Sequence, residues 1–118
     1  MSKYLLILRD HELKWDRFSP DKKREIIDMY AEWNRKLREA ERFGGAGKLS
    51  RDLGVTVRAR NDELLVDGPF SEAKEAIGGY YCVEADSLED AIAAAKDCPI
   101  LTYGGSVEVR EIEGVLLE

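Results

Sequence analysis

Residues 67–85 constrain the fold more than any other stretch. Asp67-Gly68-Pro69-Phe70 is a turn, and Gly68-Pro69 breaks whatever strand precedes it. Ser71-Glu72-Ala73-Lys74-Glu75 is a charged cluster, expected to form one helical turn ending at Ala76. Gly78-Gly79 then leads into a strand over residues 79–85. Side chains alternate along a strand, so Gly79, Tyr81, Val83 and Ala85 share one face. Tyr80, Cys82 and Glu84 take the other.

The remaining elements follow from the same periodicities. Tyr4 to Leu8 is a continuous apolar run, which suits a central strand. Residues 10–18 mix charges with Trp15 and Phe18 and are expected to form a loop. Ser19-Pro20 opens a helix, with Ser as cap, Pro at the first position and Asp21 at the positive end of the dipole. Ile26, Tyr30, Trp33, Leu37 and Ala40 form its apolar stripe, and Gly44-Gly45 is expected to end it. Gly45 to Ser50 is expected to be a short edge segment. Residues 55–59 alternate as a half-buried strand, Asn61-Asp62 is a turn, and Glu63 to Val66 returns as a hairpin partner. Ser87 caps a second helix whose predicted stripe is Leu88, Ala91, Ile92 and Ala95. Cys98-Pro99 stops that helix, and residues 106–112 form a last strand with Val107 and Val109 inward.

The order is strand, long helix, hairpin, strand, helix, strand. This is an α+β chain with the ferredoxin-like βαββαβ order, an antiparallel sheet and an extra hairpin strand. Two helices cover one face of such a sheet. In 118 residues nothing is left to cover the other, so a homodimer joined through the sheet faces is expected. The length suits one domain, residues 1–118.

Composition removes several function classes. The charged fraction is 36% and the net charge −6, which argues against nucleic acid as a partner. No apolar stretch is long enough for a membrane span, and the N-terminus lacks the cleavage region of a signal peptide, so a cytoplasmic location is expected. Cys82 and Cys98 lie too far apart for a metal-binding pair. His11 is the sole histidine and has only Asp10 and Glu12 beside it, so no metal site is expected. Phosphate-binding loops, dinucleotide fingerprints and nucleophile elbows are absent from the sequence, and no cofactor is expected.

The Asp-Gly-Pro-Phe signature, the following cluster and the Gly78-to-Ala85 run resemble the DGPF branch of the YCII-related proteins. The similarity extends to the opening strand, the region of Tyr30, the glycines at 44–47 and Cys98-Pro99. It implies a dimeric α/β barrel, in which two ferredoxin-like protomers join their sheets. Related barrels hold small aromatic or carbonyl compounds between sheet and helices. The wider group is thought to use a His on its first helix, paired with an Asp. Residues 20–42 contain no His, so that pair is not carried over.

The candidate site residues are therefore these. Asp67 is a candidate general base, set against a role in its own turn. Lys74 and Tyr30 are candidate proton or hydrogen-bond donors. Trp33, Glu75, Gly79 and Tyr81 are candidate ligand contacts. Gly78-Gly79 permits close backbone approach to a ligand or partner, or a kink in the strand. The expected function is binding of a small aromatic or carbonyl compound between the long helix and the sheet, with acid–base chemistry of isomerase or lyase type. The alternative is a non-catalytic ligand-sensing or protein-interaction module associated with transcription regulation.

Overall fold

The computed structural model describes residues 1–10, 12–50, 54–68 and 76–114, with side chains at 12–14 excepted. The elements in order are β1 (Ser2–Asp10), α1 (Glu12–Arg17), α2 (Pro20–Glu39), β2 (Phe43–Lys48), β3 (Thr56–Arg60), β4 (Glu63–Asp67), β5 (Ala76–Ala85), α3 (Leu88–Ala95), a 3-10 helix (Pro99–Tyr103) and β6 (Ser106–Ile112). The main sheet runs β2-β5-β1-β6, and each neighbouring pair is antiparallel. With the hairpin left out, that is the ferredoxin-like arrangement. The fold is α+β, as its periodicities require.

The apolar run of β1 is central because it pairs on both edges, with β5 and with β6. Tyr4, Leu6 and Leu8 are buried on its helix-facing side. Tyr81, Val83 and Ala85 of β5 join them, and Val107 and Val109 of β6 pack at the margin. The opposing layer supplies Ile26, Trp33 and Leu37 from α2, and Ala91 and Ala95 from α3. Alanine at 91 and 95 lets α3 lie close on the sheet.

α2 begins as its sequence requires: the Ser19 hydroxyl accepts from the Lys22 amide at 3.1 Å, with Pro20 at the first position. Its end differs from expectation. Gly44-Gly45 does not terminate it. Glu41 takes the left-handed conformation (φ 57°). The Arg42 amide then donates to the Leu37 carbonyl at 2.8 Å and the Glu41 amide to Arg38 at 3.0 Å. This is a Schellman stop built on a non-glycine residue. Gly44-Gly45 instead lies in β2, within a break in register against β5, with Gly45 at φ 123°. Because a side chain at positive φ is strained, Glu41→Gly should raise stability by about 0.5–1 kcal/mol in urea unfolding.

Other expectations need correction. Residues 12–17 form α1, where a loop was expected; its charges and short length gave no stripe to read. The β3–β4 hairpin forms on the Asn61-Asp62 turn, but as a separate two-stranded sheet, and every residue of β3 is exposed. The strand expected there forms, but it is not half-buried, because among the described residues no other element packs closely on either of its faces. Leu88, Ile92 and Ala40 were placed on buried stripes. Leu88 and Ile92 are 47% and 37% exposed, because Ala91 and Ala95 alone face the sheet squarely, and Ala40 is exposed as the C-cap. Of the helical turn expected over 71–76, residues 71–75 lie outside the described residues, and Ala76 is not helical but opens β5, pairing with Asp10.

Gly78-Gly79 is a bulge. Leu8 pairs with Gly79 but Arg9 with Ile77, so one residue of β5 is extra. A β-carbon on Gly79 would sit 2.8 Å from the Gly47 carbonyl oxygen, whereas one on Gly78 would meet nothing closer than 4.0 Å. The close approach here is thus to the chain's own backbone. Gly79→Ala should push β2 off β5 and cost about 1–3 kcal/mol, with Gly78→Ala unchanged or slightly more stable in the same thermal assay.

Candidate functional site

Between α2 and the sheet lies a cavity of about 590 Å³. α2 contributes Ile26, Ile27, Tyr30, Ala31 and Asn34, one side of the helix at steps of three and four. Leu8 and Asp10 come from the end of β1, and Trp15 from α1. The floor and mouth are β2 and β5: Ala46 to Ser50 on one side and Ala76 to Gly79 with Tyr81 on the other. Ile100 and Tyr103 of the 3-10 helix close one end. The bulge at Gly78 bends β5 at this mouth, and the Leu49 amide donates to the Gly78 carbonyl at 2.9 Å, holding the two rims together.

The walls are aromatic, and their polar atoms converge. The Tyr30 and Tyr103 hydroxyls lie 3.2 Å apart, and either can donate. The Tyr81 hydroxyl donates to Asn34 Oδ1 at 2.5 Å. The Tyr30 and Tyr81 rings stack with centroids 6.5 Å apart, and Phe18 packs edge-on to Tyr103 at 5.6 Å. Burial pushes the Tyr30 phenol far above its ordinary value, helped by the hydrogen bond with Tyr103. Burial likewise raises Tyr81 and Tyr103. These phenols stay protonated, so they are hydrogen-bond donors to a ligand oxygen rather than bases. Lys48 at the mouth supplies a cation, and Asp10 a carboxylate. A mostly apolar, aromatic pocket with a few convergent donors is the usual form of a small-molecule site.

Cys98 lies close behind. It is 2% exposed and burial pushes its thiol up to about 11, so it is a packing residue rather than a nucleophile. Along the outer side of α2 runs a second depression, lined largely by charged groups such as Asp21, Glu25, Asp28 and Glu32. Met29, Trp33 and Pro99 give it an apolar base, but Arg24 and Lys36 join the acids around it, and it is more open to solvent than the cavity and has no ring of aromatic donors.

The candidate residues fall into four groups. Tyr30, Gly79 and Tyr81 line the cavity together. Trp33 is buried beneath it: its ring lies 4.3 Å from that of Tyr81, and its Nε1 donates to the Ala94 carbonyl at 3.2 Å. It holds Tyr81 in place and joins α2 to α3. Asp67 ends β4, where its carboxylate pairs with Arg58 at 3.0 Å; it is not among the residues lining the cavity. Lys74 and Glu75, with Glu72, lie outside the described residues, as does His11.

Asn34, Lys48 and Tyr103 were not singled out from sequence as site residues. Asn34 could have been found, since it stands four residues after Tyr30 on the same side of α2. Tyr103 and Lys48 carry no local signal. Among the described residues no group of His, Cys, Asp or Glu could hold a metal ion, and no helix is long and apolar enough to cross a membrane.

An uncharacterized protein of Rhizobium meliloti (strain 1021) is similar to this chain, at 27% identity over 112 residues, covering 92% of this chain and 90% of that protein. The YCII-related domain, as a family, matches residues 2–115. With the opening strand, the Gly78-to-Ala85 strand and the Cys98-Pro99 stop all inside that match, the chain belongs to the YCII-related family.

Proposed function

We propose that this protein binds a small aromatic or carbonyl-bearing molecule in the cavity between α2 and the sheet, and does so as a homodimer without a bound cofactor. One observation carries the binding reading. The cavity is walled by Tyr30, Tyr81, Tyr103 and Trp15, and two pairs of hydrogen-bonding side chains meet within it. A planar ring fits against the stacked phenols, and a carbonyl or hydroxyl oxygen accepts from Tyr30 or Tyr103. The dimer reading rests on the sheet face turned away from the helices. Leu5, Ile7 and Cys82 are half-buried there and Tyr80 is 41% exposed, with no helix of the described residues over them.

The second reading is the non-catalytic ligand-sensing module, since phenol donors can hold a ligand oxygen without any turnover. Where the site does carry acid–base chemistry, Tyr30 is the donor. Asp10 is the carboxylate already at the cavity within one chain, whereas Asp67 would have to reach it from the hairpin.

The test is a fragment screen by amide and side-chain NMR on wild type and Tyr30→Phe. Aromatic ketones and phenols are expected to shift resonances of Tyr30, Asn34 and Gly79. Tyr30→Phe should weaken the best fragment about tenfold, the loss expected for one buried hydrogen bond of about 1.4 kcal/mol. Fragment binding confined to other surfaces would contradict the reading.

A further inference from the structure

The β3–β4 hairpin carries a second uncovered apolar surface. Val57 pairs with Val66 and Ala59 with Leu64, so all four project from one face. Val57, Leu64 and Val66 are 63%, 78% and 66% exposed. The ribbon is nevertheless well specified. Asn61 and Asp62, between Arg60 and Glu63, have φ of 50° and 64°. Such a two-residue turn matches the twist of the strands it joins. Among the described residues the substantial packing of each strand is on the other. A two-stranded ribbon alone is marginal in water, and a bare apolar ribbon is an association surface.

The shape of the chain indicates what covers it. The molecule measures 49 × 44 × 19 Å, with a radius of gyration of 16.3 Å. A compact domain of this length would have a radius of about 13.5 Å. The chain is thus a slab with an arm. The open sheet face of four strands, about 4.8 Å apart and roughly seven residues long, projects only roughly 400–450 Å². A stable interface takes about 800 Å² from each partner. The accessible area of a side-chain-covered face exceeds its projection, so the sheet face alone reaches only the low end of interface sizes, and the hairpin supplies further apolar surface on the same chain.

We propose that the hairpin is an arm whose Val57, Leu64 and Val66 face docks on a second copy of this chain. This rests on the dimer reading above, and by two-fold symmetry each protomer gives one arm and receives one. The connections between the main sheet and the hairpin begin at Ser50 and end at Ala76, and both residues line the cavity.

The experiment places the photo-cross-linker p-benzoylphenylalanine at Leu64 in a mixture of ¹⁴N and ¹⁵N full-length chains, with sedimentation in parallel. Cross-linked peptides carrying both labels, in a species of twice the monomer mass, are expected. Val57→Glu with Leu64→Glu should weaken the dimer at least tenfold while leaving the circular dichroism of the chain unchanged. Ile7→Glu, on the sheet face, reports separately on the dimer reading. A dimer whose cross-links stay within one chain, or form only to other proteins, overturns the arm and leaves the sheet-face dimer standing. A monomer at all concentrations overturns both.

Discussion

Trp33→Ala is expected to remove about 3–5 kcal/mol of stability, the usual loss when a buried Trp becomes Ala. Trp33 is 3% exposed, touches the Tyr81 ring at 4.3 Å and donates its indole N–H to Ala94 across the α2–α3 seam. Truncation empties that space and leaves Tyr81 without its main support. Because whole domains are stable by only about 5–15 kcal/mol, the melting temperature should fall by roughly 12 °C or more. Trp33→Phe keeps most of the packing and loses the hydrogen bond, so it should cost about 1–2 kcal/mol. Urea unfolding of the three proteins checks this. Equal melting temperatures for wild type and Trp33→Ala would mean that the seam does not organise the core.

The second large effect lies at alkaline pH. Tyr30 has its pKa raised well above the ordinary value of 10.0, first by burial and then by Tyr103. A group raised in the folded state contributes its full stability below the unfolded pKa and loses it as pH climbs toward the folded pKa. Above about pH 10 the unfolded chain ionises this phenol and the folded chain does not. Stability should then fall by about 1.4 kcal/mol per pH unit for Tyr30 alone. Tyr81 and Tyr103 are shifted the same way. Tyr30→Phe should make the limb shallower by about one such slope, at a cost near neutral pH of about 0.5–1.5 kcal/mol for the lost hydrogen bond. Unfolding free energy followed from pH 8 to 11, with phenolate absorbance, reads both. An identical alkaline limb in the variant would show that Tyr30 ionises as freely folded as unfolded.

Much of the sheet was legible because its signals are local. The apolar run of β1, the alternation of β5 and the Ser19-Pro20 start of α2 each follow from neighbouring residues alone. The Asn61-Asp62 turn was legible for the same reason, but the surface its strands pack on was not. Alternation states that one side of a strand is apolar, and not what lies against it. Glu41 hid the helix end, since glutamate is rarely used at positive φ. The site was half legible. Tyr30, Gly79 and Tyr81 share faces with core residues, and their elements bring them to one cavity. Tyr103 reaches Tyr30 across 73 residues, a contact that only chain closure creates. Asp67 is prominent in sequence because of the turn that follows it, and turn chemistry is no guide to which cavity a carboxylate faces.

The most direct measurement is a crystal structure of the protein soaked with small aromatic ketones, phenols and carboxylates. A flat ligand is expected between α2 and β5, its ring against Tyr30 and Tyr81 and an oxygen within hydrogen-bond distance of the Tyr30–Tyr103 pair. An α2–sheet space that stays empty across the whole set, or is filled by the protein's own side chains, would contradict it.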